Sequence, residues 1–116
     1  MLIHGKERKF MLTVGASMDI ADLCPHGDIT KLGEVIAKGS YAEQMRMTLK
    51  LALIMNHGYE DNRAFEEDGY KADYITEEEL RTLKPGEISE LSSAILNAYR
   101  GDIQGEIELE PEKKTD

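Results

Sequence analysis

Leu51-Ala52-Leu53-Ile54-Met55 is the longest apolar run in the chain, and it falls inside its clearest helix signal. Ser40-Tyr41-Ala42-Glu43 is a capping box, in which the serine hydroxyl and the glutamate carboxylate each take up a backbone N–H that the first turn leaves free. From it the pattern runs through Met45, Met47, Leu49, Leu51, Leu53, Ile54 and Met55 to His57-Gly58, where glycine is the expected stop. The first half has a polar side (Glu43, Gln44, Arg46, Lys50), but 51–55 has none. A helix with no polar side must be surrounded, either by the other helices of its own chain or by another subunit. A chain of 116 residues supplies little to surround it with, which points towards self-association.

Length fits one domain, and the flanking pattern supplies its parts. Leu2 and Ile3 lead into His4-Gly5-Lys6, after which Phe10, Leu12 and Val14 alternate with Lys9, Met11 and Thr13. That period of two predicts a β-hairpin over 1–14 with Gly5 in its turn. Met18, Ile20, Ala21, Leu23 and Cys24 predict a short helix stopped by Pro25. Asp28 caps a second, through Ile29, Leu32, Val35 and Ile36 to Gly39. Residues 59–75 read as a polar loop in which Tyr59, Phe65, Tyr70 and Tyr74 are spaced through acids, as anchors onto the body or as partner contacts. Thr76-Glu77-Glu78-Glu79 is a second capping box, opening a short helix through Leu80 and Leu83. Pro85 suits the first turn of a last helix, whose stripe Ile88, Leu91, Ala94, Ile95, Ala98 and Tyr99 closes at Gly101. The expected fold is therefore mainly α with a small N-terminal β-hairpin: one compact domain of about five helices over 1–103, followed by a flexible acidic tail at 104–116.

Charge narrows the partners. The net charge of −9 is concentrated in two segments. Residues 60–79 hold nine acids against Arg63 and Lys71, and 101–116 hold six against Lys113 and Lys114. Such a surface repels phosphate backbones and anionic lipid, so neither nucleic acid nor a membrane is an expected partner. No apolar run approaches the ~20 residues of a membrane span, and the start lacks the apolar segment of a signal peptide. The lone Cys24 precludes an internal disulfide and fits a reducing compartment.

Motifs for chemistry fail on inspection. A calcium loop from Asp68 to Glu79 would place Tyr70 and Ala72 where oxygen ligands belong, and Asp73 where the turn needs glycine. Cys24-Pro25-His26 has only His4 and His57 as further nitrogen donors, too few for zinc without a second cysteine. As a nucleophile pair it lacks an orienting group and an oxyanion hole. Gly5, Gly15, Gly27, Gly33 and Gly39 are scattered through turns and stops and make no phosphate loop. No catalytic, cofactor-binding or metal-ligating residue is expected, which leaves a binding function.

The order of the pieces is itself distinctive. Gly5-Lys6-Glu7-Arg8-Lys9-Phe10 runs into Leu12-Thr13-Val14-Gly15-Ala16, then Gly27-Asp28-Ile29 and Leu32-Gly33-Glu34. The long helix ends in Leu53-Ile54-Met55-Asn56-His57-Gly58, and Ile75-Thr76-Glu77-Glu78-Glu79-Leu80 precedes the helix from Glu87 to Arg100. Over roughly residues 1–103 this layout resembles the small tail assembly chaperones of long-tailed phages and prophages of Gram-positive bacteria. The resemblance implies a non-enzymatic protein of the bacterial cytoplasm that binds the tape measure protein and keeps it soluble before the tail tube assembles. It also implies association with a longer form made by ribosomal frameshifting, this chain being the short one. On that view Met45, Leu49 and Leu53, with Ile88, Leu91 and Ile95, are expected to line a groove for the client or for further copies. Two other readings stand beside it: a structural head–tail connector or minor tail protein, and an acidic adaptor for a basic DNA-binding protein.

Overall fold

A computed structural model describes the backbone of residues 1–115 and the side chains through Asp102. The chain is mainly helical with a small N-terminal antiparallel hairpin. In order, the elements are β1 (Leu2–Ile3), β2 (Lys6–Glu7), α1 (Val14–Ala21), α2 (Leu32–Ala37), α3 (Tyr41–Glu66), α4 (Glu77–Arg81) and α5 (Pro85–Thr115), with two single 3-10 turns ahead of α2. The expected flexible tail at 104–116 lies outside the residues whose side chains are described.

Local signals built most of the helix starts. Both capping boxes form, Ser40 with Glu43 and Thr76 with Glu79. The Asp28 carboxylate accepts the Thr30 N–H at 3.0 Å, and Pro85 opens α5. In the hairpin, Ile3 pairs with Lys6, so His4 and Gly5 are the two turn residues. Their φ values of 52° and 78° are both positive, as a turn matched to the strand twist requires.

Three boundaries differ from the sequence expectation. The hairpin's second arm ends at Glu7 instead of reaching Val14. Phe10 and Leu12 do face the core, but as an irregular extended segment, because their backbone binds α3 and α5 in place of a strand: Met11 N donates to Met55 O at 3.0 Å, and Leu12 N to the Asp102 carboxylate at 2.7 Å. Thr13 then caps α1 through the Ala16 N–H, which puts Val14 in a first helical turn, 77% exposed. Secondly, α3 does not stop at Gly58 but runs on to Glu66. A β-carbon at Gly58 would sit 2.7 Å from the Met11 carbonyl oxygen, so this glycine admits a crossing backbone and does not end a helix. Thirdly, α5 passes through Gly101, which has no positive φ to break the turn.

The core is made by α3 lying between the other elements. Leu51, Ala52 and Met55 are at most 2% exposed, and they cluster with Ile3, Ile20, Leu32, Ile75, Leu80, Leu91 and Ile95. The run that has no polar side is thus covered largely within the one chain. Leu53 and Ile54 remain half-buried at its edge.

Candidate functional site

An open groove with an apolar floor lies at the beginning of α3. Tyr41, Ala42, Met45, Arg46 and Leu49 share one face, since residues four apart stack on successive turns. Opposite them stand Leu80 of α4, Leu83 of the short link, and Pro85 and Ile88 of α5. Together they bound a groove of about 330 Å³. Leu80 and Ile88 are buried and form the floor. Met45, Leu49 and Leu83 are half-buried walls, and Tyr41 stands 65% exposed at the lip. The position of α4 is fixed locally by its capping box and by Arg8, whose guanidinium reaches the Glu79 carboxylate at 3.2 Å.

The polar rim is mostly cationic. Arg46 is exposed and makes no ion pair among the described residues. Arg81 pairs with Glu77 at 3.6 Å one turn back on α4, with both side chains well exposed. An exposed pair of this kind contributes only about 0.3–0.5 kcal/mol and opens readily.

The six residues expected to share one surface are divided by the fold. Met45, Leu49 and Ile88 line the groove. Leu91 and Ile95, at 0% and 2% exposure, lie in the core, and Leu53 packs half-buried against it. The α5 stripe turns into the core, so only its first member reaches the groove. Tyr41, Arg46, Leu80 and Leu83 are among the other lining residues and were not singled out for the site from the sequence. Tyr41 and Arg46 extend the Met45/Leu49 spacing by one turn and one residue, a signal that was present. Leu80 and Leu83 depend on where α4 docks, which no local pattern reveals.

Around the acidic segment the tyrosines act as anchors. Glu60, 5% exposed on α3, accepts the Tyr70 hydroxyl at 2.6 Å and the Asp73 N–H at 2.9 Å. Tyr74 donates to Asp61 and stacks on His57, with ring centroids 4.0 Å apart. Donating to those carboxylates pushes both phenols above their usual range. Phe65 is not an anchor; it lies on α3, 92% exposed.

The remaining candidates for chemistry are all used structurally. Cys24 is buried, its thiol 3.4 Å from the Ile20 carbonyl oxygen, and burial pushes it above the usual thiol range, away from the nucleophilic form. His26 sits in the turn with φ 57°. Glu79 is occupied by Arg8 and by the N-cap of α4. Burial raises its carboxyl, but the Thr76 N–H and hydroxyl and the Arg8 guanidinium outweigh that and hold it below the ordinary range. Among the described residues, no three His, Cys, Asp or Glu side chains gather as a metal site would need. No described helix is long and apolar enough to cross a membrane.

Compared with known proteins, the chain matches no family model, no curated protein and no solved structure. The reading of the site rests on its own geometry.

Proposed function

We propose that this chain is a non-enzymatic tail assembly chaperone of a long-tailed phage or prophage. In this reading it works in the bacterial cytoplasm, binding the tape measure protein and keeping it soluble before tail tube assembly. The observation that carries the reading is the open groove between α3, α4 and α5, with its apolar floor and a methionine in its wall. An elongated helical client exposes apolar stripes with anchors at i, i+3, i+4 and i+7, and a groove between helices is the complement of such a stripe. Methionine suits the task because its unbranched, polarizable side chain adapts to different partners. Self-association and pairing with a longer frameshifted form belong to the same proposal, since several copies would be needed to coat a long client.

Co-expression with the tape measure protein of the same locus tests it. The wild-type chain should move that protein from the insoluble to the soluble fraction. Ala42→Arg, which fills the groove from an exposed position, should abolish the effect, whereas Leu2→Ser on the hairpin should not. A tape measure protein equally insoluble with and without the wild-type chain would overturn the proposal. A structural connector or minor tail protein would instead be found in finished particles, from which a chaperone is absent. Expression from the native DNA adds a further check: a minor longer product, its mass matching a shifted frame, should accompany the short one.

A further inference from the structure

The groove lies on a protein of net charge −9, yet its edges are predominantly basic. Arg46 and Arg81 line it, and Glu77, the one acidic residue in the lining, is already paired with Arg81. Two exposed lysines extend the same edges. Lys50 follows Arg46 by one turn on α3, and Lys84 sits between the lining residues Leu83 and Pro85. Of the acids near the rim, Glu43 is committed to the α3 cap, Glu79 to the α4 cap and Arg8, and Glu87 to the Lys84 N–H, while Glu78 is exposed beside Glu77. The Ser40 N–H and hydroxyl hold Glu43 below the ordinary carboxylate range, with the Arg46 charge adding a smaller pull in the same direction. Arg46 therefore stands beside an apolar floor with no ion pair among the described residues, the neighbouring Glu43 being engaged in the α3 cap.

We propose that the groove selects an amphipathic helix whose apolar face is flanked by carboxylates, one of which pairs with Arg46. This rests on the groove being the client's seat and specifies the client's chemistry. A lysine-flanked helix would set its cations against Arg46 and Arg81 at the moment of docking, and like charges brought together there oppose binding. Glu77, which belongs to the acidic segment 60–79, reaches the groove already paired with Arg81, and Glu79 is held by Arg8. Exposed charges are screened beyond ~10 Å at 0.1 M, so the residues at the rim dominate.

The test uses two synthetic helices of about 18 residues, long enough to be helical in water. Each has leucines at i, i+3, i+4 and i+7; one carries glutamates on both flanks and the other lysines. Binding to the full chain is read by fluorescence anisotropy. The glutamate-flanked peptide should bind about fivefold more tightly than its twin, as expected for one or two partly shielded ion pairs. Arg46→Glu, an exposed substitution whose retained helicity is checked by circular dichroism, should reverse the order. Added salt should compress the difference. Equal binding of the two peptides, unchanged by Arg46→Glu, would overturn the charge preference and leave the groove reading in place. No binding of either peptide by the folded chain would overturn the groove reading itself. Sedimentation of the wild-type chain identifies the competing occupant: an oligomer dispersed by Arg46→Glu, with no peptide bound, would assign the groove to a second copy and overturn the proposal.

Discussion

The two ends of α3 are built for different purposes, although one continuous helix provides both. From Met55 to Glu60 the helix is gripped by backbone from two directions. Asn56, fully buried, donates to the Lys9 carbonyl at 3.1 Å and accepts the Ile75 N–H at 2.8 Å, so one side chain pins the N-terminal segment and the loop before α4. Met11 bonds to the helix carbonyl of Met55, Gly58 admits the crossing chain, and Glu60 holds the loop at Tyr70 and Asp73. From Tyr41 to Leu49 the contacts are of another kind, with apolar walls left half-exposed and Arg46 in no ion pair among the described residues. The closed end is specified by directional bonds that a shifted partner would break. The open end is specified only by shape and apolar area, which a different partner can also satisfy. Stability should therefore be concentrated at one end and binding at the other.

The sharpest way to break that contrast is Asn56→Ala. It strands the buried Ile75 N–H, at about 1–3 kcal/mol, and frees the part-buried Lys9 carbonyl at a smaller cost, so a loss of about 2–3 kcal/mol is expected in urea unfolding. A loss below ~1 kcal/mol would mean that the closed end is not held as described. Gly58→Ala comes next. Its β-carbon would meet the Met11 carbonyl oxygen at 2.7 Å, so helix or crossing segment must move. Overpacking of that kind costs about 1–3 kcal/mol, while the gain in helix propensity returns at most ~1. Net destabilisation of about 1–2 kcal/mol is the expected result. If Gly58 were merely a helix stop in the wrong place, the alanine would stabilise.

Acid should weaken the link between the ends. Glu79 and Glu43 have folded-state pKa values below the ordinary 4.5, so the stability they contribute is complete above that value. It is lost as pH falls through their depressed folded-state values. A titration of unfolding free energy should show this decline, and Glu79→Gln, which leaves a capping-box residue in place, should flatten it while costing about 1 kcal/mol at neutral pH. The smallest expected effect on stability is at the open end. Tyr41→Ser and Arg46→Glu should stay within about 0.5 kcal/mol of wild type, as exposed substitutions do, while changing client or peptide binding. A groove variant that unfolds the protein would erase the distinction between the two ends.

Much of the chain could be read before its fold was known, because the signals were local. Ser40 with Glu43, Thr76 with Glu79, Asp28 and Pro85 each satisfy or avoid a backbone donor within one turn, and three of them open the helices they were expected to open; Asp28 caps only the 3-10 turn Ile29–Lys31, with α2 starting after it at Leu32. The apolar stripe of α5 was legible in the same way. Gly58 was not, since a glycine at the end of an apolar run looks the same whether it stops a helix or lets another segment pass. Asn56 gave no signal at all: its two partners lie 47 residues before it and 19 after it. Of the six residues expected to share one surface, half reached the groove. Met45, Leu49 and Ile88 reached the groove, while Leu91 and Ile95, of the same apolar character, went to the core.

What the sequence determined alone is the kind of protein this is: mainly helical, acidic and punctuated by caps. Spacing and capping act over one or two turns, and net charge needs no fold. Tertiary structure decided which apolar residues were left over. Burial is a property of what lies opposite a side chain, and only the docking of α4 and α5 on α3 assigns those neighbours. The groove is the place where that docking leaves Met45 and Leu49 half-covered, with Arg46 beside them.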